Sequence, residues 1–586
     1  MRLDDIIKGI AITDRRGPLD TEVTSITADS RKVRPGSLFV AVRGLSRDGH
    51  QYISHALELG AAGVIAEQWP EGMRAKANVV LVPNARRALA LAAGNFYGQP
   101  SRKLLIAGVT GTNGKTTVTY VLESIIKAAG KKVGVIGTVE TRFPGKVEVL
   151  DNTTPDAVLL QKKLAEMAAA GVSHVAMEVS SHALDQERVA GLHFKVAGFT
   201  NLSQDHLDYH KTLDTYFEAK ARLFSEYLRK SRARGRMAVV NVDDERGAKL
   251  LERWNGKSLR ISLDPKSDAD VVALSARYAK DGIEATIRTS KGVWDIKTAL
   301  IGEHNLSNVL VAVGMALAMG FSKARILRGL EALERVPGRL ERVPSEDGKT
   351  VYVDYAHTPD ALSRALSAVR ATTKGRLLVV FGCGGDRDAT KRGPMGQAVA
   401  KHADIAVLTN DNPRTESPEA IAKAVEEGLK AGGFTALVGP PAAKTYKVEL
   451  DRRHAIRLAL DWAGPEDTVV IAGKGHENYQ IVGKQKLRFD DREEARRMLA
   501  GLPPPPPEAL DEGTSEVEVD QVVESLEEVE GDEILAEEVV TGPTTQQVQA
   551  EEIVDAVDLE PDIVEEIVDA PAQPEGRAGP PGDKKT

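Results

Sequence analysis

A glycine-rich turn between an apolar strand and an amphipathic helix is the feature that most constrains this chain. The turn is Gly108-Val-Thr-Gly111-Thr-Asn-Gly114-Lys115-Thr116-Thr117, and it follows an apolar run that begins at Leu104. Apolar residues then recur at helical spacing as far as Gly130. The segment therefore predicts a strand, a tight turn and a helix, which is the repeating unit of α/β domains with parallel sheets.

In this setting the turn predicts a phosphate-binding loop. Glycines let backbone N–H groups approach phosphate oxygens, and the N-terminus of the following helix favours negative charge. Lys115 can reach the β- and γ-phosphates of a nucleotide, and the Thr116 hydroxyl can bind Mg²⁺. The strict pattern has glycine six residues before the lysine, where this chain has Val109. The loop is a variant, and we interpret it as a nucleotide-binding site.

Apolar strand-like runs alternate with helical patterns through the first 500 residues, which predicts an α/β fold with mostly parallel sheets. The 586 residues allow about three or four domains of ordinary size. We expect boundaries near Gln99-Pro100 and near Val336-Pro337-Gly338, giving domains at 1–99, 100–336 and 337–500 and a tail at 501–586. Besides the strand before the turn, strands are predicted at 172–178, 196–200, 237–242, 377–381, 405–408 and 468–472.

Residues 501–586 differ in composition from the rest of the chain. They include five consecutive prolines at 503–507, and they carry 25 acidic and 3 basic residues. Glu-Glu-Ile-Val-Asp-Ala occurs twice, at 551–556 and 565–570. Strong like charge with almost no aromatic residues cannot bury enough apolar surface to offset chain entropy, so we expect a disordered, acidic tail. A segment that folds as a short helix on a protein partner is the alternative.

Without the tail the chain is basic, with 74 Lys and Arg against 60 Asp and Glu. A basic body suits anionic substrates such as nucleotides or phosphosugars. Aromatic residues are only 4% of the chain and no arginine-rich stripe interleaves with them, which argues against nucleic-acid binding. One cysteine, Cys383, indicates a reducing compartment. No signal-peptide pattern and no long apolar run are present, so we expect a cytoplasmic protein without a membrane span.

Polar clusters follow two of the central strands. Glu178 ends an apolar strand, where parallel sheets place ligand-binding side chains, and a carboxylate there can hold Mg²⁺ opposite the phosphate loop. A solvated or capping glutamate is the alternative. Asp205, His206, Asp208 and His210 lie within six residues. A metal site is one interpretation of this group, and a polar loop is the commoner one.

Further candidates lie downstream. Lys220 belongs to an amphipathic helical pattern at 216–224, and its spacing alone predicts a surface lysine. Asn305 precedes an apolar helix and is available as its cap. Three polar motifs each follow a predicted C-terminal strand: Gly384-Gly-Asp-Arg387-Asp388, Asp411-Asn412-Pro413-Arg414 and Gly473-Lys-Gly-His-Glu477. Parallel strands would direct all three to one edge, forming a polar cleft whose Arg387 and Arg414 suit carboxylates.

Taken in order, these motifs resemble those of the Mur ligases of peptidoglycan synthesis. The shared motifs are Gly-Thr-Asn-Gly-Lys-Thr, Glu-Val-Ser-Ser-His, Asp-His-Leu-Asp-Tyr-His, Gly-Glu-His-Asn, Pro-Gly-Arg-Leu-Glu, Asp-Tyr-Ala-His and Gly-Lys-Gly-His-Glu. They are most similar to the branch that adds the third stem-peptide residue to UDP-N-acetylmuramoyl-L-alanyl-D-glutamate. The resemblance covers roughly residues 20–500 and leaves out the tail.

The resemblance implies an N-terminal UDP-muramoyl-binding domain, a central P-loop ATP-binding domain and a C-terminal Rossmann-like domain that binds the amino acid. It implies that ATP phosphorylates the γ-carboxylate of D-glutamate to an acyl phosphate. An amine of the incoming amino acid then attacks, and phosphate leaves from a tetrahedral intermediate. Because the outer domains must meet around the central one, domain closure is expected.

The resemblance also assigns residues. Catalytic roles go to Lys115, Glu178, His206 and Lys220. Mg²⁺ would be bound by Thr116, Glu178, His206 and Lys220, the last as a carbamate formed with CO₂, which replaces the surface-lysine interpretation. ATP would be bound by Gly111, Thr112, Asn113, Gly114, Lys115, Thr116, Thr117, Asn305 and Arg339. The UDP-muramoyl dipeptide would be bound by Ala28, Ser30, Leu45, Ser46, Arg47, Asn152, Thr153, Thr154, Ser180, Gln186 and Arg188.

The C-terminal motifs imply which amino acid is added. Asp411, Asn412, Pro413 and Arg414 look like the signature of ligases that add meso-diaminopimelate, which is lysine with a distal carboxylate, and Gly473 and Glu477 match positions that bind its distal end. Arg387 belongs to the same cleft. Ser417 stands where the family pattern is usually acidic.

Other functions stay open at this point. The alternatives are an L-lysine-adding ligase, a sister ligase such as the D-Ala-D-Ala-adding enzyme or folylpolyglutamate synthetase, and a non-catalytic nucleotide-binding scaffold.

Overall fold

The structure is a computed structural model that describes residues 1–44, 47–69 and 78–503. The predictions for Leu45, for Ser46 and for the tail beyond 503 lie outside the described residues. In the described part, strands form sheets of five, eleven and seven strands in chain order and one separate hairpin. None of the helices found there is both long and apolar enough to cross a membrane.

The N-terminal region is a five-stranded sheet with three helices. Its strands are β1 (Asp14–Arg16), β2 (Ser25–Thr27), β3 (Ser37–Val40), β4 (Gly63–Ala66) and β5 (Val79–Leu81). Its helices are α1 (Leu3–Ile6), α2 (Ile53–Glu58) and α3 (Ala85–Phe96). The strand order is β1-β5-β4-β3-β2, and the strands are parallel except β1. Helix α3 begins where the Asn84 side chain accepts the Arg87 N–H at 2.8 Å, as an N-cap does.

The central region is built on the eleven-stranded sheet. Its strands are β6 (Leu105–Thr110), β7 (Val133–Ile136), β8 (Thr141–Phe143), β9 (Lys146–Glu148), β10 (His174–Glu178), β11 (Phe194–Phe199), β12 (Met237–Asn241), β13 (Lys257–Ser262), β14 (Val271–Ala279), β15 (Gly282–Thr289) and β16 (Gly292–Thr298). Its helices are α4 (Lys115–Ala128), α5 (Ala157–Ala169), α6 (Ser181–Asp185), α7 (Leu207–His210), α8 (Leu213–Arg222), α9 (Glu245–Glu252), α10 (Glu303–Ala318) and α11 (Lys323–Glu331). A π-helical segment, Leu223–Leu228, continues α8.

The sheet order β16-β15-β14-β13-β12-β11-β6-β10-β7-β8-β9 places β6 between β11 and β10, all parallel. The strand predicted before the glycine-rich turn therefore lies inside the sheet, with the phosphate loop at its carboxyl end. Antiparallel strands extend the sheet at both edges. These extensions were not predicted. In β15 alternate residues are buried, as expected of a strand with one covered face.

The C-terminal region has a seven-stranded sheet and a hairpin. Its strands are β17 (Glu341–Val343), β18 (Thr350–Asp354), β19 (Leu377–Phe381), β20 (Ile405–Leu408), β21 (Thr435–Ala436), β22 (Thr445–Val448), β23 (Thr468–Ala472), β24 (Tyr479–Val482) and β25 (Gln485–Arg488). Its helices are α12 (Pro359–Arg370), α13 (Arg392–His402), α14 (Pro418–Ala431), α15 (Arg452–Trp462) and α16 (Asp491–Leu499). The order β17-β18-β23-β19-β20-β22-β21 is parallel except at β17. The strands predicted at 377–381, 405–408 and 468–472 are confirmed.

Candidate active site

The phosphate loop is held in shape by the strand beside it. Gly111 and Gly114 have positive φ angles of 145° and 89°, which favour glycine. A Cβ atom on Gly111 would lie 1.9 Å from the Thr200 hydroxyl, so no larger residue fits. The Thr200 hydroxyl donates to the Asn113 carbonyl at 2.6 Å. Val109 is fully buried in β6, so the departure from the strict pattern falls in the strand and spares the turn.

Lys115 is the first residue of α4 and bends back over the loop. Its Nζ donates to the carbonyl oxygens of Gly111 at 3.0 Å and of Thr112 at 2.9 Å. Burial lowers the pKa of Lys115, while the carboxylates of Glu178 and Asp205 act in the opposite direction. The ammonium group therefore lies at the mouth of the loop, where an anion can take the place of the two carbonyl oxygens.

Thr116 and Glu178 are buried residues close to this loop, and their side-chain oxygen atoms are possible metal ligands. Glu178 is the last residue of β10, and its carboxylate accepts the N–H and the hydroxyl of Thr138, each at 2.9 Å. The Thr116 hydroxyl accepts from Arg339 at 3.1 Å. Such oxygens fit Mg²⁺, which keeps water and phosphate ligands beside one or two protein groups. In the described ranges, no group of three or more His, Cys, Asp or Glu is arranged to hold a metal by itself.

Lys220 is buried, so the prediction from helical spacing alone was wrong. Its side chain is 1% exposed, its Nζ donates to the Gly111 carbonyl at 2.8 Å, and it lies 4.3 Å from the centre of the Tyr216 ring. Burial, and then the neighbouring Lys115, lower the pKa of Lys220 well below its ordinary value. CO₂ reacts with the neutral form of an amine, and a lowered pKa increases the share of that form.

His206 lies among aromatic rings at the edge of the site. Its backbone is left-handed, with φ of 54°, and its ring centre is 4.8 Å from that of His182 and 6.0 Å from that of Tyr216. Asp205 Oδ2 is 3.4 Å from His206 Nε2. Burial, and then the rings of His206 and His210, lower the pKa of His182 to about 3, so the His182 imidazole is neutral.

Most of the residues predicted to bind the dipeptide meet at Thr154. The Thr154 hydroxyl donates to the Glu178 carbonyl at 2.9 Å and accepts the Ser180 N–H at 3.0 Å. Arg188 donates to the Thr154 carbonyl at 2.8 Å and to Gln186 Oε1 at 2.8 and 3.1 Å. These contacts connect the predicted dipeptide residues with the strand that carries Glu178.

Two other groups of predicted substrate residues lie elsewhere. Asn152 is exposed, and the Thr153 hydroxyl lies 3.0 Å from that of Thr138. The predicted UDP residues Ala28, Ser30 and Arg47 belong to the N-terminal region and do not line the cleft described next.

A cleft of about 1200 Å³ separates the central and C-terminal regions. Eight of the predicted residues line it: Gln186, His206, Arg387, Asp411, Asn412, Arg414, Gly473 and Glu477. The phosphate loop reaches across this junction, because Asn113 Nδ2 donates to Asp360 Oδ2 at 3.1 Å. The residues named from the sequence thus lie on both walls of the cleft, and their roles stay predictions.

Two guanidinium groups contribute positive charge to one wall of the cleft. Arg414 donates to the Gly385 carbonyl at 2.8 Å, and burial and then Arg414 lower the pKa of Arg387. No ion pair found within the described ranges includes either arginine, so both are available to a carboxylate. Ser417, the departure from the family pattern, caps α14 with its side chain and lies outside this pair.

Lys474 is a functional candidate that the sequence analysis missed. It is fully buried, and its Nζ is 3.0 Å from Asn412 Oδ1, 3.0 Å from Glu477 Oε2 and 3.7 Å from Asp411 Oδ1. Asp411 Oδ1 is itself buried without a hydrogen-bond partner. The sequence contains the motif, but only the fold brings Lys474 to Asn412, which is 62 residues away in sequence.

Asn305 does not cap a helix, so that prediction was wrong. The N-cap of α10 is Gly302, and Asn305 is buried one turn inside the helix, where it donates to the Ile301 carbonyl at 2.9 Å. Its Oδ1 accepts from Asn308 at 3.2 Å. Asn308 in turn packs so closely on Gly114 that a Cβ there would lie 2.0 Å from Asn308 Oδ1. Asn305 therefore supports the phosphate loop through Asn308.

Comparison with known proteins divides the chain into the same three regions, in the same order. Three family models match the chain in order: "Mur ligase family, catalytic domain" at 22–97, "Mur ligase middle domain" at 109–316 and "Mur ligase, glutamate ligase domain" at 338–475. A UDP-N-acetylmuramoyl-L-alanyl-D-glutamate--2,6-diaminopimelate ligase of Gloeobacter violaceus is 44% identical over 501 residues, which are 85% of this chain and 98% of that protein. The ligase of the same name from Geobacillus thermodenitrificans is 44% identical and covers 81% and 94%.

Solved structures agree with these matches. A structure with that same ligase name has a TM-score of 0.61 at 32% identity and covers 86% of this chain and 99% of its own. MurF of Thermotoga maritima in complex with ADP shares the fold at 20% identity, with a TM-score of 0.54 over 82% and 97%. The matched models follow the three regions of the fold, and the relatives align over almost their whole length. The chain therefore belongs to the Mur ligase family, whose members are ATP-dependent ligases.

Proposed function

We propose that the chain is the ATP-dependent ligase that joins meso-2,6-diaminopimelate to UDP-N-acetylmuramoyl-L-alanyl-D-glutamate. The observation that carries the proposal is the cleft, in which Arg387 and Arg414 of the C-terminal region and Gln186 and His206 of the central region line one cavity. The relatives at 42–44% identity that bear this name support the same assignment. We propose domains 1–99, 100–336 and 337–500 for the UDP-muramoyl dipeptide, ATP and the amino acid, respectively.

The first chemical step is phosphoryl transfer. The γ-carboxylate oxygen of D-glutamate attacks the γ-phosphorus of ATP, the bond to the bridging oxygen breaks, and ADP leaves. Lys115 and the backbone N–H groups of 111–117 stabilise the charge on the transferring group, which is most of what this reaction needs. The acyl phosphate that forms is a far better acyl donor than the carboxylate.

Thr116 and Glu178 supply the protein oxygens that would hold Mg²⁺, with His206 and a carbamate on Lys220 as the further ligands we propose. When bound, the ion neutralises phosphate charge. The burial of Lys220 and its lowered pKa support its part in this, because CO₂ adds to the neutral form of an amine and gives an anionic carbamate.

The second step is attack of the amino acid. An amine of diaminopimelate adds to the acyl carbon, a proton leaves the nitrogen, and the tetrahedral intermediate expels phosphate to give the amide. Arg414, with Arg387 beside it, suits the distal carboxylate. Asp411 Oδ1, which accepts no hydrogen bond, suits the distal ammonium, and Lys474 keeps Asn412 and Glu477 in place.

The test is the dependence of turnover on each substrate. Purified protein with ATP, Mg²⁺ and UDP-N-acetylmuramoyl-L-alanyl-D-glutamate should release phosphate and form a tripeptide product when diaminopimelate is added. L-lysine, D-Ala-D-Ala and a folate with glutamate are the competing acceptors. Product with L-lysine at an equal kcat/KM would change the assignment to a lysine-adding or permissive ligase. No turnover with any of them would favour a scaffold.

A further inference from the structure

Glu187 lies between Gln186 and Arg188, two of the residues predicted to bind the UDP-muramoyl dipeptide, and the sequence did not suggest a function for it. It is 7% exposed, and its φ of 61° is one that side chains other than glycine and asparagine seldom adopt. Its carboxylate accepts from the Tyr227 hydroxyl at 3.0 Å and forms a short contact with Arg222. A strained, buried carboxylate between two substrate residues is well placed to fix their positions.

A second glutamate and two arginines complete what we call the Glu187 cluster: Arg87, Glu187, Arg222, Glu226 and Tyr227. Arg87 Nη1 bonds to Glu187 at 3.0 Å and to Glu226 at 2.7 Å. Arg222 Nη2 bonds to Glu226 at 2.9 Å. Two carboxylates thus face two guanidiniums. Burial alone would raise the pKa of Glu226, but Arg222 and Lys230 outweigh it and lower the pKa to about 2.

The cluster joins three parts of the molecule. Arg87 belongs to α3 of the N-terminal region. Arg222 is the last residue of α8, two positions after Lys220, and it also donates to the Leu184 carbonyl of α6 at 2.7 Å. Glu187 connects both with the loop that carries Gln186 and Arg188.

The N-terminal end of this connection reaches the predicted UDP loop. Arg86, next to Arg87, donates to the Arg43 carbonyl at 2.7 Å. Gly44 then donates to the Arg47 carbonyl at 2.8 Å within that loop. The substrate has a nucleotide at one end and the reacting carboxylate at the other, so a fixed spacing between the two subsites favours simultaneous binding of both ends.

We propose that Glu187 is a positioning residue, which holds Gln186 and Arg188 at a fixed place between the N-terminal region and the helix of Lys220. The inference rests on the proposed function, because its substrate is the UDP-muramoyl dipeptide. Loss of the carboxylate should loosen that loop without touching the phosphate loop or the amino-acid wall. Displacements of about 1 Å can cost on the order of a hundredfold in activity.

The test compares Glu187→Gln with wild type in three separate titrations. We expect KM for the UDP-muramoyl dipeptide to rise about ten- to a hundredfold. KM for ATP and for diaminopimelate should stay within about threefold, because those residues lie elsewhere in the site. Tyr227→Phe removes one of the bonds to Glu187 and should have a smaller effect of the same kind. Lys230→Ala is the matched control, since exposed Lys230 contacts Glu226 alone in this network at 3.1 Å.

A double-mutant cycle with Arg87→Ala sharpens the result. The effects of Arg87→Ala and Glu187→Gln on dipeptide KM should be markedly less than additive, because both break the same contact. If Glu187→Gln keeps the wild-type KM for the UDP-muramoyl dipeptide, the inference about Glu187 is overturned and the proposed function is not affected. A parallel change in all three KM values and in the thermal midpoint, which indicates general destabilisation, would also overturn the inference. A wild type that cannot use the dipeptide would overturn the proposed function, and the inference with it.

Discussion

The two junctions between regions of this molecule are built in opposite ways. The N-terminal and central regions share one apolar cluster, in which Ile6, Leu38 and Leu89 pack with residues such as Leu160 and Phe194. The central and C-terminal regions instead face each other across a cleft of about 1200 Å³ lined mainly by polar side chains. The first junction is a broad continuous core, whereas the second combines the cleft with a smaller apolar contact, in which Ile301 packs with the C-terminal core.

The two junctions therefore allow different relative motions of the regions that they join. A shared apolar core resists relative movement, because separating the two parts would expose apolar surface at about 25 cal/mol per Å². Contacts between the central and C-terminal regions include the Asn113–Asp360 and Thr116–Arg339 hydrogen bonds, both 3.1 Å long. Polar contacts of this kind can exchange with water or substrate. We therefore expect the C-terminal region to close on a fixed N-terminal and central body.

The largest effect should come from a change beside the phosphate loop, in the central region. Lys220→Ala should lower kcat on the order of a thousandfold, because the charge at the phosphoryl group loses part of its stabilisation. The thermal midpoint should fall, because the change leaves a cavity and removes the hydrogen bond from Lys220 to the Gly111 carbonyl. Initial rates of phosphate release and a thermal melt check both. Partial rescue by acetate would support the carbamate, and wild-type rates would contradict the assignment. Arg253→Ala, at an exposed ion pair, is the control.

The next effect should be selective for the amino acid. Arg414→Ala should lower kcat/KM for diaminopimelate about a hundredfold, while KM for ATP changes little, because a buried carboxylate would lose its charged partner. Arg414→Lys should recover only part, since an ammonium lacks the two-pronged geometry. Wild type should prefer diaminopimelate over L-lysine by a similar factor. Comparable values for the two amino acids would show that Arg414 does not select between them.

A change in the apolar core between the N-terminal and central regions should affect stability instead of amino-acid binding. Leu89→Ala in α3 removes buried methyl groups from the shared core and should lower the free energy of unfolding by about 2–5 kcal/mol. Binding of diaminopimelate should stay unchanged, because the amino-acid wall lies at the other junction. Denaturant melts and an amino-acid titration measure the two quantities. A large change in diaminopimelate KM without loss of stability would show that the two junctions are coupled.

The smallest effect is expected from the acidic tail. A chain that ends at residue 503 keeps α16 and the contact in which Arg497 donates to the Pro503 carbonyl at 2.8 Å. Because residues 504–586 hold none of the family motifs, kcat should stay within about twofold of the full chain, as surface changes remote from a site usually allow. Folded but inactive protein would assign the tail a part in catalysis. A protein partner for the tail stays a prediction.

The sequence alone determined the local features of this protein. Glycines at 111 and 114, a lysine at 115 and an apolar run on each side specify a strand, a loop and a helix, because each depends only on neighbours in the chain. The order of motifs likewise identifies the family without reference to any tertiary contact.

Only the tertiary structure decided what is buried and what is paired. Helical spacing favoured a surface position for Lys220, yet the loop packs over it and leaves 1% exposed. Asn305 was expected at a cap and lies inside α10, supporting the phosphate loop through Asn308. Lys474 and Glu187 gain their partners from segments 62 and 100 residues away. Burial and charge pairing depend on residues far apart in sequence, so no local pattern contains them.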